Sequence, residues 1–380
     1  MKKKILFVTE RRADYSKLRP VISEIKKSKK FKYYLVVTGS HLLKNHGDTI
    51  SEIRKDGFRT YRKFPMFYQN EDDSPATMTM GLARAIENLT QIIKSLKPDI
   101  IFTGFDIGAN FAAAIVGAHM NIHVAHLEGG EVTGTIDESI RHATSKFAHI
   151  HFTSNKIATK RLIKMGESPE QIFTVGNPSL DEIKSVKILS KNELEKEFKI
   201  DLNKPFLLVV QHTVTTEINS IDKYFLETIK ALKELNLQSI IISGNIDAGS
   251  QRIRRIIKNS KISYYEHIPF KKYISLLNYS TAILGNSSSG IMEAPFLHIP
   301  SINIGTRQMG RSRVDSIINV NYKKEEIKKA IKIIMSDKRF LSQIKKQKPQ
   351  YGDGNTSKTI VKILENINLD KIPIQKKLAY

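Results

Sequence analysis

Titratable side chains are concentrated in one glycine-containing stretch of the chain, AHLEGGEVTGTIDESIRH at 125–142. They are His126, Glu128, Glu131, Asp137, Glu138, Arg141 and His142. The residues that end at Glu128, IHVAHLE, have the composition of a buried strand, and a carboxylate at the end of such a strand is costly unless it is paired or catalytic. We therefore expect the chemistry of this protein in this stretch.

Three carboxylates are candidates for proton transfer. Asp106 follows the predicted strand DIIFTG, and Glu128 and Asp137 belong to the stretch just described. Repulsion and burial in such a cluster can raise the pKa of one acid and leave that of another low, which supplies a general base and a general acid at neutral pH. His126 and His142 could carry protons, and Asp106 could instead cap the following helix. The H-x-E spacing is poor for metal ligands, so we predict no metal.

A second pattern predicts phosphate binding. The turn GNSSSGIMEAP at 285–295 places small residues between a predicted strand and a predicted helix, where N–H groups and hydroxyls can donate to phosphate oxygens. Glu293, predicted one turn inside that helix, could accept the hydroxyls of a ribose. Helix capping is the alternative, but three consecutive serines exceed what a cap needs. The candidate nucleotide-binding residues here are Ser287, Ser288, Ser289, Gly290 and Glu293.

Other candidate binding residues also follow predicted strands. Arg12 and Lys17 lie in TERRADYSK, where a helix start after a strand favours an anion, although a solvated basic turn is the alternative. This turn has no GxGxxG, so a dinucleotide fingerprint is absent. His41 follows the second strand, where a capping or solvated histidine is the more common case. The later strands are followed by His212, Asn245 and Arg311.

The elements that must position these residues alternate regularly. Apolar runs separated by helical periodicity predict βαβ units and parallel sheets with helices on both faces, and ligands of such sheets bind at the carboxyl ends of the strands. The predicted strands are 4–9, 33–39, 99–104, 123–128, 149–154, 206–211, 238–244, 261–268, 281–285 and 300–305. The pattern restarts after a Gly-Asn-Pro cluster. We predict an α/β fold of two Rossmann-like doubly wound domains, 1–175 and 176–355, with a C-terminal helix and tail, 356–380, that could pack back on the first.

Composition limits the class of protein and its partners. The chain has no cysteine, so disulfide and thiolate chemistry are excluded. Its 61 basic and 38 acidic residues give a formal charge of +23, which suits a polyanionic partner. However, the lysines are scattered over predicted helices (184–198, 323–333, 342–348) without interleaved aromatic residues, so we predict neither a nucleic acid nor a membrane partner. MKKKILFVTE predicts a first strand rather than a signal peptide. No run of residues is long enough to span a membrane, and we expect a cytoplasmic protein.

Taken in order, these residues resemble the hydrolysing UDP-N-acetylglucosamine 2-epimerase family, the enzymes of sialic-acid and legionaminic-acid precursors. The similar stretches are RxDYSK (12–17), TGSHL (38–42), AAAIVGA (112–118), AHLEGGEVTGTIDESIRHATSK (125–146), GNP (176–178), NIDAGS (245–250), GNSSSGIMEAP (285–295), NIGTRQMGR (303–311) and GDGNTSK (352–358). The resemblance implies a GT-B-type fold with the active site in the cleft between the domains, a nucleotide-sugar substrate, a homodimer or homotetramer, and no metal or redox cofactor.

The resemblance also implies a reaction. A carboxylate removes the C2 proton of the sugar nucleotide, UDP leaves by anti elimination to give a 2-acetamidoglucal, and water then adds to release N-acetylmannosamine. Proton transfer is assigned to Asp106, Glu128 and Asp137, and His212 is a further catalytic candidate. The resemblance assigns contacts with the diphosphate and the sugar to Arg12, Lys17, Arg141 and His212. Cations at these positions would offset the charge of the departing diphosphate.

The chain departs from the family pattern at several positions. The replacements are Glu10-Arg11 for Gly-Thr, Phe105 and Ile107 for the Gly and Arg that flank the central acid, Thr213 for Pro, and Gly244 for Pro. Losing the arginine beside Asp106 removes a charge that could hold that acid ionised. The same reaction on a UDP- or GDP-linked 2,4-diacetamido-2,4,6-trideoxy sugar therefore stays open, as does a GT-B glycosyltransferase.

Overall fold

The computed structural model describes residues 2–43, 49–72, 74–105, 107–133, 136–243, 249–311 and 313–379. The chain forms two compact units. Unit 1 comprises Met1–Glu131, Ile136–Glu182 and Tyr351–Tyr380, and unit 2 comprises Val132–Thr135 and Ile183–Gln350. Each unit contains one parallel sheet with interleaved helices, which confirms the predicted fold class.

Unit 1 is built on a seven-stranded sheet of order β3-β2-β1-β4-β5-β6-β7 in which every pairing is parallel. Its elements up to the boundary after Glu182 are β1 Lys3–Thr9, α1 Arg12–Lys27, β2 Phe31–Val37, α2 Thr49–Lys55, β3 Thr60–Lys63, α3 Pro75–Leu96, β4 Ile100–Gly104, α4 Gly108–His119, β5 His123–Leu127, α5 Ile136–Phe147, β6 Ile150–Thr153, α6 Lys156–Lys164, β7 Ile172–Thr174 and α7 Ser179–Ser185, and α7 crosses that boundary.

Unit 2 is built on a six-stranded parallel sheet of order β10-β9-β8-β11-β12-β13. Its elements are α8 Lys191–Phe198, β8 Phe206–Val210, α9 Ile221–Leu235, β9 Gln238–Ile242, α10 Ser250–Ser260, β10 Ser263–Tyr265, α11 Phe270–Tyr279, β11 Ala282–Gly285, α12 Glu293–Phe296, β12 Ser301–Ile304, β13 Ile317–Val320, α13 Lys324–Ser336 and α14 Lys338–Lys346. The predicted single helix over 184–198 is wrong, because Ser190 and Glu193 form a capping box that starts α8 anew.

The C-terminal part of the chain returns to unit 1 as α15, Thr356–Asn366. Ile360 and Leu364 pack in the same core as α1. The units divide the chain after Glu182 and before Tyr351 rather than at the proposed positions 175 and 355. The reason is local: the N–H of Asn177 donates to the carbonyl of Tyr351 at 2.7 Å, so both segments belong to unit 1.

The strands of unit 1 are apolar on both faces because helices cover both. In β1, Ile5 and Phe7 pack in one core with α1 and α15, whereas Leu6 and Val8 pack in a second core with α3 and α4. Such double burial is typical of parallel sheets. The strands that the sequence analysis missed, β3, β7 and β13, are short edge strands with partly exposed residues, so their apolar signal is weak. Among the described residues, no helix combines the length and apolar character needed to cross a membrane.

Candidate active site

The carboxylate of Glu128 is buried in unit 1 and held by two donors. β5 ends at Leu127, and Glu128 follows it with φ +63°, its N–H bonded to the carbonyl of Phe152 at 2.9 Å. Lys17 Nζ lies 2.8 Å from Oε1 and 3.0 Å from Oε2, and Asn177 Nδ2 donates to Oε1 at 2.7 Å. A buried carboxylate with a cationic partner and a left-handed backbone is typical of a functional residue.

Lys17 reaches this carboxylate from the second turn of α1. The helix begins at Arg12. The carboxylate of Asp14 caps it by accepting from the N–H groups of Glu10 and Arg11, each at 2.9 Å. Burial raises the pKa of Asp14 to about 6. Lys17 Nζ also lies 4.9 Å from the centre of the Phe105 ring, a cation–π distance. The start of α1 therefore sets the position of the ammonium group.

Two of the departures from the family pattern have structural roles around α4. Glu10 Oε2 accepts the N–H of Ala109 at 2.8 Å, so its carboxylate lies at the N-terminus of α4, where the helix dipole favours a negative charge. Phe105 has φ +68°, a conformation that favours glycine, and it lies with Ile107 in the core. Asp106, which these two residues flank, lies outside the described residues.

Helix α5 carries an acid and a cation one turn apart. Asp137 is half-buried in the first turn, and Arg141 is buried and donates from Nη1 to the carbonyl of Glu131 at 3.3 Å. Residues four apart lie on the same helix face. The carboxylate of Glu131 accepts from Ser154 Oγ and Asn155 Nδ2, each at 2.5 Å, which ties it to the residues before α6.

The two histidines of the acidic stretch are poorly suited to carry protons at neutral pH. Burial lowers the pKa of His126 far below its usual range, and its Nδ1 lies 3.2 Å from Ser145 Oγ. Burial also lowers the pKa of His142, which lies 3.7 Å from Glu138. Both imidazoles are therefore neutral near pH 7, where a proton carrier needs a pKa close to the ambient value.

His41 and Arg12 have partners inside unit 1. The ring of His41 is buried between Thr9 Oγ1, 3.0 Å from Nε2, and Thr49 Oγ1, 2.8 Å from Nδ1, and burial lowers its pKa to about 4. Both ring nitrogens are thus used by the fold, so the geometry gives His41 a structural place rather than a ligand contact. Arg12 Nε lies 3.9 Å from Glu52 Oε2, and both side chains are about one quarter exposed.

The serine turn of unit 2 follows β11 and differs in detail from the prediction. Ser287 Oγ accepts the N–H of Ser289, and Ser289 Oγ accepts from the hydroxyl of Tyr273 at 2.5 Å. A Cβ on Gly290 would lie 2.5 Å from Ser301 Oγ, so only glycine fits. The predicted position of Glu293 one turn inside a helix is wrong, because the residues before it form a 3-10 turn and the four-residue α12 begins at Glu293.

Glu293 has the strongest signal of an unfilled binding position in unit 2. Its side chain is buried, and Oε2 has no hydrogen-bond partner among the residues that the structure describes. A buried carboxylate oxygen without a donor is costly, so a polar ligand group is expected to satisfy it. The candidate residues Ser287, Ser288, Ser289, Gly290 and Glu293 therefore lie together between β11 and the end of α12.

His212 lies beside the serine turn because β8 pairs with β11, with Val210 opposite Gly285. Asn286 clamps the backbone of His212: its Oδ1 accepts the N–H at 2.6 Å and its Nδ2 donates to the carbonyl at 3.0 Å. Gln308 donates to the carbonyl of Asn286 at 2.8 Å. Asn286 belongs to the motif GNSSSGIMEAP, but nothing in the local sequence indicates this role.

Arg311 is also placed within unit 2, and Asn245 lies outside the described residues. Arg311 is buried, and its Nε donates to the carbonyl of Val132 at 3.1 Å.

In unit 1 the structure brings together Lys17 and Glu128, and Asn177, which was not predicted as a site residue, joins them. The GNP motif of Asn177 was visible in the sequence, but its contact with Glu128, 49 residues earlier in the chain, was not.

Comparison with known proteins identifies the family. The family model described as UDP-N-acetylglucosamine 2-epimerase matches residues 23–365. This chain belongs to that epimerase family. The match confirms the resemblance noted in the sequence.

Relatives similar to this chain over its whole length carry two kinds of name. A UDP-N,N'-diacetylbacillosamine 2-epimerase (hydrolyzing) of Legionella pneumophila is 35% identical over 100% of both chains. A GDP/UDP-N,N'-diacetylbacillosamine 2-epimerase (hydrolyzing) of Campylobacter jejuni is 35% identical over 98% of this chain and 97% of its own. A UDP-N-acetylglucosamine 2-epimerase of Neisseria meningitidis is 33% identical over 96% and 95%.

Solved structures agree with the fold. The UDP-GlcNAc 2-epimerase from Neisseria meningitidis bound to UDP-GlcNAc has a TM-score of 0.82 at 20% identity, over 96% of this chain and 100% of that one. The UDP-GlcNAc 2-epimerase of Methanocaldococcus jannaschii in complex with UDP-GlcNAc and UDP has a TM-score of 0.78 at 21% identity, over 96% and 99%. These epimerases share the fold of this chain.

Proposed function

We propose that this epimerase is hydrolysing and converts a UDP-linked 2-acetamido sugar into the free 2-epimeric sugar and UDP, with UDP-N-acetylglucosamine and N-acetylmannosamine as the first pair to test. The observation that carries the proposal is the buried carboxylate of Glu128 held by Lys17 and Asn177 at the carboxyl end of β5. Ligands of parallel sheets bind at that edge. Membership of the family and the names of the relatives support the reaction class.

The proposed chemistry has two steps. A carboxylate takes the proton from C2, the C1–O bond to UDP breaks, and a double bond forms between C1 and C2 of a 2-acetamidoglucal. Water then adds its oxygen to C1 while a proton returns to C2 on the opposite face, which inverts C2. Asp106, Glu128 and Asp137 are the proposed proton-transfer residues, and the surroundings of Glu128 support this role, because a neighbouring ammonium stabilises its charged form.

Unit 2 is proposed to bind the nucleotide. The hydroxyls and N–H groups at Ser287, Ser288 and Ser289 suit phosphate oxygens, and the unsatisfied Oε2 of Glu293 suits the hydroxyls of a ribose. We propose that His212, held by its backbone beside this turn, contacts the diphosphate or sugar. In unit 1, Lys17, Arg12 and Arg141 supply positive charge.

A second substrate candidate is UDP-N,N'-diacetylbacillosamine. Two relatives at 35% identity are named for it, and one of them also for the GDP-linked form. The arginine that the family pattern places after the central acid is Ile107 here, and its side chain is buried in the core. This change replaces a charged residue next to Asp106 in the sequence by an apolar one, which suits a sugar that carries fewer hydroxyls. Either product is a precursor for nonulosonic acid synthesis, and a relative from Escherichia coli is named polysialic acid biosynthesis protein P7.

The proposal is tested by following the proton spectrum of each UDP-sugar with the enzyme in deuterated water. Free 2-epimeric sugar that carries deuterium at C2, together with UDP, supports it, and the faster of the two sugars identifies the substrate. An intact UDP-sugar epimer contradicts the hydrolysing reaction, and transfer to an added acceptor sugar identifies a glycosyltransferase. Glu128→Gln and Asp106→Asn are expected to lose turnover by several orders of magnitude while UDP binding persists.

A further inference from the structure

Two motifs whose glycines have no part in the proposed function meet in unit 1. They are GNP at 176–178 and GDG at 352–354. Gly176 has φ +97° and Gly352 has φ +109°, and a Cβ on Gly176 would lie 3.1 Å from the Cα of Gly352 and 2.9 Å from the carbonyl oxygen of Tyr351. Side chains larger than hydrogen would therefore separate these segments. Their close approach fixes Asn177, whose N–H donates to the carbonyl of Tyr351 at 2.7 Å.

The hydrogen bonds of Asn177 set the orientation of its amide. The side chain is fully buried. Its Oδ1 accepts from both the N–H and the hydroxyl of Ser179, each at 2.9 Å. A backbone N–H can only donate, so the atom that faces it must be the amide oxygen. The NH₂ group consequently faces Glu128, and Nδ2 donates to Oε1 at 2.7 Å.

This arrangement makes the two oxygens of Glu128 unequal. Oε1 accepts from both Asn177 and Lys17, whereas in the described part of the chain Oε2 accepts from Lys17 alone, at the longer distance of 3.0 Å. A carboxylate oxygen has two lone pairs in its plane, so Oε1 is saturated and Oε2 keeps one available. The side chain of Glu128 is also almost completely buried, which leaves it little room to rotate into another position.

We propose that Asn177 is a positioning residue of the epimerase: it occupies Oε1 of Glu128 and so makes Oε2 the oxygen that exchanges a proton with the substrate. This role rests on the proposed function. Asn177 does not touch the reacting atoms and acts through Glu128. Catalysis is sensitive to such positioning, because a base must lie within hydrogen-bond reach of the proton it takes, in the correct orientation.

The test compares Asn177→Asp with the wild-type enzyme. The carboxylate keeps the acceptor for Ser179 and nearly the same shape, but it replaces the donor that faces Glu128 by an acceptor. We expect kcat to fall by roughly 30-fold or more, with KM for the UDP-sugar and UDP affinity little changed. The new carboxylate faces Glu128 in a buried site, so Tm is expected to fall as well, and turnover is measured well below the Tm of each variant. Asn177→Ala is the second variant. Ser179→Ala is the matched control: it removes a bond at the other end of the same amide and is expected to leave kcat within about threefold.

The outcomes separate the two proposals. Wild-type enzyme that turns over neither UDP-sugar overturns the proposed function and this role with it. Wild-type turnover with unchanged kcat in both Asn177 variants overturns the positioning role alone. A fall in kcat that Ser179→Ala reproduces, or that disappears when turnover is measured further below the Tm of the variant, shows a merely structural role and also overturns it. A fall in kcat that is confined to the Asn177 variants, at constant KM and well below the Tm of each, supports it.

Discussion

The ammonium group of Lys17 lies 2.8 Å from Oε1 and 3.0 Å from Oε2 of Glu128, although 111 residues separate them in the chain. Lys17 is in the second turn of α1 and Glu128 directly follows β5. The strand order β1-β4-β5 brings the ends of these elements together. The pair is nearly excluded from solvent, with side-chain exposures of 12% and 1%, so each charge depends on the other.

Lys17→Met is expected to reduce turnover by about 100-fold or more, because the carboxylate loses the cation that stabilises its charged form. Leaving a buried charge without its partner also costs about 3–5 kcal/mol of unfolding free energy. Turnover is measured with the better UDP-sugar and stability by chemical denaturation. The double variant Lys17→Met/Glu128→Gln is the control, since it removes both charges and is expected to regain part of the stability. A single variant as stable as the wild type contradicts this account.

Gly176→Ala is expected to destabilise unit 1 by at least about 3 kcal/mol, because the new methyl group adds overlap with Tyr351 and Gly352 to a disfavoured backbone conformation. Gly57→Ala is the matched control. Gly57 also has positive φ, +73°, but a Cβ there meets only the flexible end of Lys26 at 4.0 Å. Its cost is therefore expected to be the backbone term alone, about 1–2 kcal/mol. Equal losses of unfolding free energy in Gly176→Ala and Gly57→Ala, measured by thermal or chemical denaturation, would show that the close approach of the two glycine motifs contributes nothing to stability.

His41 is expected to make the stability of the protein depend on pH. Burial lowers the pKa of its imidazole from 6.5 to about 4, so the native state binds fewer protons than the unfolded state in that range. The contribution of His41 to the unfolding free energy is fully present above pH 6.5. It declines as the pH falls toward 4, by at most about 1.4 kcal/mol per pH unit. The difference in unfolding free energy between wild type and His41→Gln should shrink across this window. A difference that stays constant would refute the buried neutral imidazole.

Asn286→Ala is expected to weaken UDP binding about tenfold, because it leaves the backbone N–H and carbonyl of His212 without the partners at 2.6 and 3.0 Å. Titration of UDP by calorimetry measures the effect. The matched control is Asn303→Ala, which removes another buried amide of unit 2, bonded to Asn319 on the neighbouring strand at 2.9 Å. It should cost stability but leave UDP affinity unchanged. Equal weakening by both variants would assign the effect of Asn286 to general destabilisation.

The local sequence determined the elements and the family. Apolar runs such as ILFVT and IIFTG predict buried strands, and helical periodicity between them predicts a parallel sheet in each half, because burial on both faces leaves a continuous apolar signature. The same pattern places Glu128 at the end of a predicted strand and the serine turn directly after one. It missed the edge strands β3, β7 and β13, whose exposed residues weaken that signature, and it placed Glu293 inside a helix that in fact begins there.

Only the tertiary structure decided which side chains meet. Glu128, the partner of Lys17, lies 111 residues after it in the chain, and Asn177, the second partner of Glu128, lies 49 residues further on. No local sequence pattern encodes either separation. His41 looked like a residue at the end of a strand, but packing buries it between two threonines. Such contacts depend on strand order and on the return of the chain through Tyr351, and sequence periodicity reports only whether a residue faces the core, not which residue it meets there.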